Sequence, residues 1–140
     1  MDRFVKNFIA MSIIYLTIAS LMGVGMLITP ELIGKLKFSH SHLMLIGWVT
    51  MMIYGVGYHI LPRFAGKLLD NPLLCEIHFW MANVGLIGMV VVLPMYRSNM
   101  DNNAFMVILI ISGTLQILSS LIFFYNMIKT IYHKVEAPPA

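Results

Sequence analysis

Residues 38–62 read FSHSHLMLIGWVTMMIYGVGYHILP and contain no Asp, Glu, Lys or Arg. Lys37 precedes the stretch and Arg63 follows it. About 20 predominantly apolar residues are enough for a helix to cross the hydrocarbon core of a bilayer. The stretch is therefore read as a transmembrane helix, and three more of the same kind surround it. Residues 7–30 lie between Lys6 and Glu31, residues 77–96 between Glu76 and Arg97, and residues 102–128 between Asp101 and Lys129. Inside lipid the backbone must satisfy its own hydrogen bonds, so each stretch is expected to be helical. Pro30, Pro62 and Pro94 stand near stretch ends, where a missing N–H does least harm. Asn71-Pro72 marks a turn before the third helix. The expected fold class is all-α, an integral membrane four-helix bundle. A single four-span domain covers residues 1–140, with helices near 7–30, 38–62, 74–96 and 102–133.

Composition points the same way. Of the 140 residues, 59% are hydrophobic and 11% charged, against about 25% charged in an average soluble domain. A soluble chain this short has too little interior to hide so much apolar surface. The net charge of +3 reports orientation in a bilayer rather than nucleic-acid binding. Arg3, Lys6, Arg63, Lys67, Lys129 and Lys134 fall on the side of the two termini, and Lys35, Lys37 and Arg97 on the other. The bias expects both termini in the cytoplasm and the chain in the cell's inner, cytoplasmic membrane. The first apolar run is longer than the roughly 7–15 residues of a signal-peptide core, so it is expected to stay as a span. Residues 135–140, with Pro138 and Pro139, are expected to fray. Cys75 is the single cysteine, which excludes an intrachain disulfide and a zinc-finger spacing. The 13 methionines read as packing or lipid-facing residues.

Ionisable groups within a span are costly and usually functional. His40, His42, His59 and His78 fall inside or at the edge of spans, whereas His133 stands beside Lys134 and reads as interfacial. His40 and His42 are two residues apart, so on a helix they point about 200° apart and differ by about 3 Å in height. They cannot clamp one ion from one face, but they can present an imidazole to each side. That suits two separate ligands, or one heme iron shared between neighbouring copies. Water in the headgroup region and copper are the alternatives. Gly47, seven residues after His40, offers room for a porphyrin or for plain helix packing. His59 and His78 flank the loop near residue 68 at similar depth. They suit a second heme, a metal or a quinone headgroup, or structural bonds to each other, to Tyr58 or to Glu76. His59 lies about 26 Å along the helix from His42, so one compact site using all of them is excluded. Arg63 and Arg97, at opposite faces, suit heme propionates or lipid phosphate.

The run from Ser39 to Trp48, continued to Tyr58-His59-Ile60-Leu61-Pro62-Arg63, resembles the second helix of subunit I in the heme–copper oxidase superfamily. Its nitric oxide reductase branch looks closest. His78-Phe79-Trp80-Met81-Ala82-Asn83-Val84-Gly85 is similar to the third helix of short subunit-I-like proteins. The resemblance covers roughly residues 38–95. It implies heme b as cofactor and His42 as the position that matches the ligand of the low-spin heme. The departures are as informative. This chain has four spans where the full subunit has many more, and it lacks the His-Pro-Glu-Val-Tyr motif of the copper-site helix. The resemblance therefore implies electron transfer or heme and gas binding rather than a complete oxidase. The full subunit arranges arcs of four helices with pseudo-threefold symmetry, and one of its heme-binding helices carries His-x-His. A homotrimer is expected by that analogy, with heme held between His40 of one copy and His42 of the next. The cofactor residues expected are His42, His40, His78, His59, Gly47 and Arg97, with His42 and His40 on the iron. The lipid bilayer, further copies of the chain and a respiratory complex or quinone are the expected partners, and no nucleic acid. The rival readings are a non-heme accessory or assembly subunit of a respiratory complex, and a metal- or quinone-handling enzyme using His59 and His78.

Overall fold

The computed structural model describes residues 1–132. His133 and the frayed tail expected at 135–140 lie outside the described residues. Four helices cross the expected bilayer: α1 (Arg3–Ile28), α2 (Pro30–Phe64), α3 (Pro72–Ser98) and α4 (Asn103–Tyr132). The protein is an all-α, four-helix membrane-spanning bundle. Each helix is long and apolar enough to span, with at most two charged residues in its 18-residue core.

α2 is the composite element. It opens on a 3-10 turn at Pro30–Leu32, runs as α-helix over Ile33–His42, and widens to a π-helix over Leu43–Thr50. It returns to α-helix over Met51–Phe64. Each π turn takes in about one residue more than an α turn, and such segments are rare overall and frequent at functional sites. The π segment begins at the residue after His42.

The helix ends follow local chemistry. Asn71 caps α3, its side chain accepting from Leu73 N–H at 3.0 Å and Leu74 N–H at 3.2 Å, with Pro72 at the first helical position where its missing N–H is harmless. α2 stops at Gly66, whose φ of +65° is the left-handed cap conformation that glycine adopts without strain. Polar residues on lipid-exposed turns bond back to their own helix. Thr17 donates to the Ile13 carbonyl at 2.9 Å and Thr114 to the Ile110 carbonyl at 2.8 Å, so neither hydroxyl faces hydrocarbon unpaired.

α2 and α3 form the short diagonal of the bundle. α1 packs along α2, and α4 packs along α3, while α1 and α4 occupy far corners among the described residues. Small residues set the close approaches. A Cβ on Gly85 would lie 2.9 Å from the Ser112 carbonyl oxygen, so α3 and α4 meet backbone to backbone there. Across the interior, Tyr15 donates to Asn83 Oδ1 at 2.7 Å and Ser39 to the Val90 carbonyl at 2.9 Å. At the terminal side Asn126 locks the α2–α3 loop onto α4. Its Nδ2 donates to the Asn71 carbonyl at 3.0 Å, and its Oδ1 accepts from Asn71 N–H at 3.3 Å. Each bond satisfies a group that lipid could not.

Candidate functional site

The start of α2 places its two histidines on opposite flanks, as their spacing requires. His40 turns toward α1. Its Nδ1 lies 2.9 Å from the Ala19 carbonyl oxygen, and its ring packs over Gly23, where a Cβ would come within 3.3 Å of Cε1. His42 turns to the other flank, and its Nδ1 lies 2.7 Å from the carbonyl oxygen of Phe38, one turn earlier. A carbonyl only accepts, so both Nδ1 atoms carry the proton and donate. In the neutral ring the lone pair is then on Nε2. An N–H anchored to a backbone carbonyl with the other nitrogen left as donor is the usual state of a metal-ligating histidine.

Cations gather on the His42 flank. The Arg97 guanidinium, from the last turn of α3, lies 4.8 Å from the centroid of the Phe38 ring, and Lys37 Nζ lies 5.4 Å from the same ring. Phe38 and His42 are four residues apart and so share a helix face. Arg97 and His42 therefore occupy one flank, a turn apart in height, at the non-terminal side of the bilayer. This donor set fits a heme: an imidazole with Nε2 left over for iron, and positive charge toward the rim for its carboxylates.

Gly47 serves the bundle instead. A Cβ there would lie 2.8 Å from Tyr15 Cβ, 2.9 Å from Tyr15 Cγ and 3.1 Å from Leu86 Cδ2. The room expected for a porphyrin is filled by Tyr15 of α1 and Leu86 of α3.

His59 and His78 make separate sets of contacts. His78 is fully buried, at the point where all four helices converge. Its ring packs on Phe8 at 4.9 Å, Tyr54 at 4.4 Å and Phe123 at 5.9 Å between centroids. Its Nδ1 bonds the Tyr58 hydroxyl at 2.9 Å, and its Nε2 has no partner. His59 is half-buried and bonds Arg63 through both its ring and its carbonyl oxygen, the latter at 2.7 Å. It lines a cleft of about 130 Å³ on the terminal side with Asp2, Tyr58, Arg63 and Lys67. Among the described residues no three His, Cys, Asp or Glu side chains group so as to hold a metal ion. The Tyr58–His78 bond was one of the options open in the sequence. The Tyr15–Asn83 bond and the Asn126 clamp were not anticipated, although two asparagines inside apolar spans were the available signal.

Comparison with known proteins falls on this same region. Residues 36–102 match the family described as Cytochrome C and Quinol oxidase polypeptide I. The similarity is to oxidase polypeptide I. The matched segment begins just before Phe38 and runs past Arg97, so it contains both halves of the His42 flank. The cbb3-type cytochrome c oxidase subunit CcoN1 of Stutzerimonas stutzeri is 35% identical over 49 residues, which is 34% of this chain and 10% of that protein. The chain thus corresponds to a small fragment of that relative. It is a membrane helix bundle with weak homology to part of the heme–copper oxidase family, without assignment to a branch.

Proposed function

We propose that the chain is a multi-pass b-type heme protein of a bacterial inner membrane, with both termini in the cytoplasm, that transfers electrons or binds heme and gas. The observation that carries the reading is the His42 flank. Its Nδ1–H is fixed by the Phe38 carbonyl, its Nε2 lone pair is left over, and Arg97 and Lys37 stand against the ring of Phe38, one turn before it. The similarity to oxidase polypeptide I over the same residues supports it. A heme bound there would supply one-electron exchange or gas binding. The residues have distinct roles. His42 would give its nitrogen to the metal. The Phe38 carbonyl holds the imidazole in its tautomer and raises its basicity. Arg97 and Lys37 balance carboxylate charge at the rim, where lipid would otherwise leave it unpaired. The reading also fits an oligomer or a respiratory complex, since His42 faces away from the bundle core.

The test is the optical spectrum of protein purified after expression with heme supplied, oxidised and dithionite-reduced, with a pyridine hemochrome assay. Sharp reduced α and β bands that disappear in His42→Ala are expected. A colourless protein rejects the reading and leaves an accessory subunit of a respiratory complex as the function.

A further inference from the structure

His42 supplies one nitrogen, and the described residues hold no second one for the same iron. His40 points to the opposite flank and is tied to the Ala19 carbonyl beneath Gly23. His78 is enclosed by Phe8, Tyr54 and Phe123, at 0% exposure. His59 stands near the other end of α2 and bonds Arg63. A site on this flank is therefore half a site.

Resting on the heme reading above, we propose that the site is completed by a second copy of this chain, with His42 of each copy ligating one iron across a two-fold axis. Copies inserted in the same orientation, and related by a two-fold along the membrane normal, carry His42 at equal depth. A two-fold contact uses the same patch on both partners, so each contributes the same residue. The flanking charge obeys the same count. A heme has two carboxylates, and two copies bring two Arg97 side chains, each 4.8 Å over its own Phe38. The surface below His42 is suited to a second helix. Leu45, Val49, Ile53 and Val56 are exposed in a stripe at steps of four, four and three residues. The stripe continues into a shallow apolar groove lined by Met52, Gly57, Ile60 and Leu61. In lipid such a stripe gains little by burial alone, so the shared iron is what holds the pair together. This arrangement differs from the ring expected from sequence, in which His40 of one copy met His42 of the next, because the ring of His40 lies against α1 over Gly23.

The experiment measures heme per chain, by pyridine hemochrome against amino-acid analysis. It is combined with electron paramagnetic resonance of the oxidised protein and its mass in nanodiscs. About half a heme per chain, a bis-imidazole low-spin signal and a dimer mass are expected. His40→Ala should leave all three unchanged. Co-expressing tagged His42→Ala with untagged wild type keeps the test independent of how the variant folds alone. Chains captured by the tag should have lost the bis-imidazole signal. One five-coordinate heme per monomer overturns the shared site while the heme reading stands. Loss of the bis-imidazole signal in His40→Ala overturns it in favour of the His40–His42 pairing. A lipid-filled groove gives a monomer and overturns it as well. A colourless protein removes the heme reading itself.

Discussion

Replacing Gly47 by Ala separates a packing glycine from a cofactor glycine. The added methyl would lie 2.8 Å from Tyr15 Cβ and 2.9 Å from Tyr15 Cγ. Neither atom can swing away. Cβ is fixed to the α1 backbone, and the far end of the ring is tied by its hydroxyl to Asn83 at 2.7 Å. Relief requires α1 and α2 to separate by several tenths of an ångström, and overpacking of this kind costs about 1–3 kcal/mol. Against that, Ala is the better helix former by about 1 kcal/mol. Gly25→Ala gains the same helix term, and nothing lies within 4 Å of its Cβ position. The two variants should therefore differ by about 2 kcal/mol, with the helix term cancelling. Unfolding in mixed micelles, followed by the fluorescence of Trp48 and Trp80, reads the difference. Equal stability of the two variants would refute the packing argument. The heme spectrum of Gly47→Ala should match the wild type, and loss of the band would return Gly47 to the cofactor site.

The Tyr58–His78 bond should show the asymmetry of buried polar pairs. Tyr58→Phe leaves both ring nitrogens of His78 unpaired and costs about 1–3 kcal/mol, whereas the double variant with His78→Leu recovers most of the loss in the same unfolding assay. Asn126→Ala removes the clamp on Asn71, so residues 65–71 should be cleaved several times faster by protease added to the terminal side of proteoliposomes. Arg97→Ala should speed heme loss to apomyoglobin severalfold with helical content unchanged, and Arg63→Ala, on the other face, should leave that rate as it was.

The spans were legible because hydrocarbon imposes one requirement on every residue of a stretch, and absence of charge over 20 residues satisfies it without reference to any neighbour. The opposite facing of His40 and His42 was legible for the same reason, since helix pitch acts within one element. What Gly47 is for was not. A glycine seven residues from a histidine looks the same whether its space is open or filled, and here Tyr15 arrives from another helix to fill it. The partners of His78 were half legible. Tyr58 stood among the options, but the convergence of Phe8, Tyr54 and Phe123 on one imidazole joins four segments far apart in sequence.

The sequence by itself determined that the chain crosses the membrane four times and that its paired histidines face apart, because both follow from interactions within a helix and between a helix and its solvent. Only the tertiary structure decided which histidine turns to α1 and which stays outside, and that Arg97 joins the latter. It also decided that α2 widens into a π-helix at Leu43–Thr50, and that Tyr54 and Tyr58 meet His78. Those outcomes depend on how four apolar surfaces interlock, and hydrophobicity, being non-directional, leaves that choice to shape.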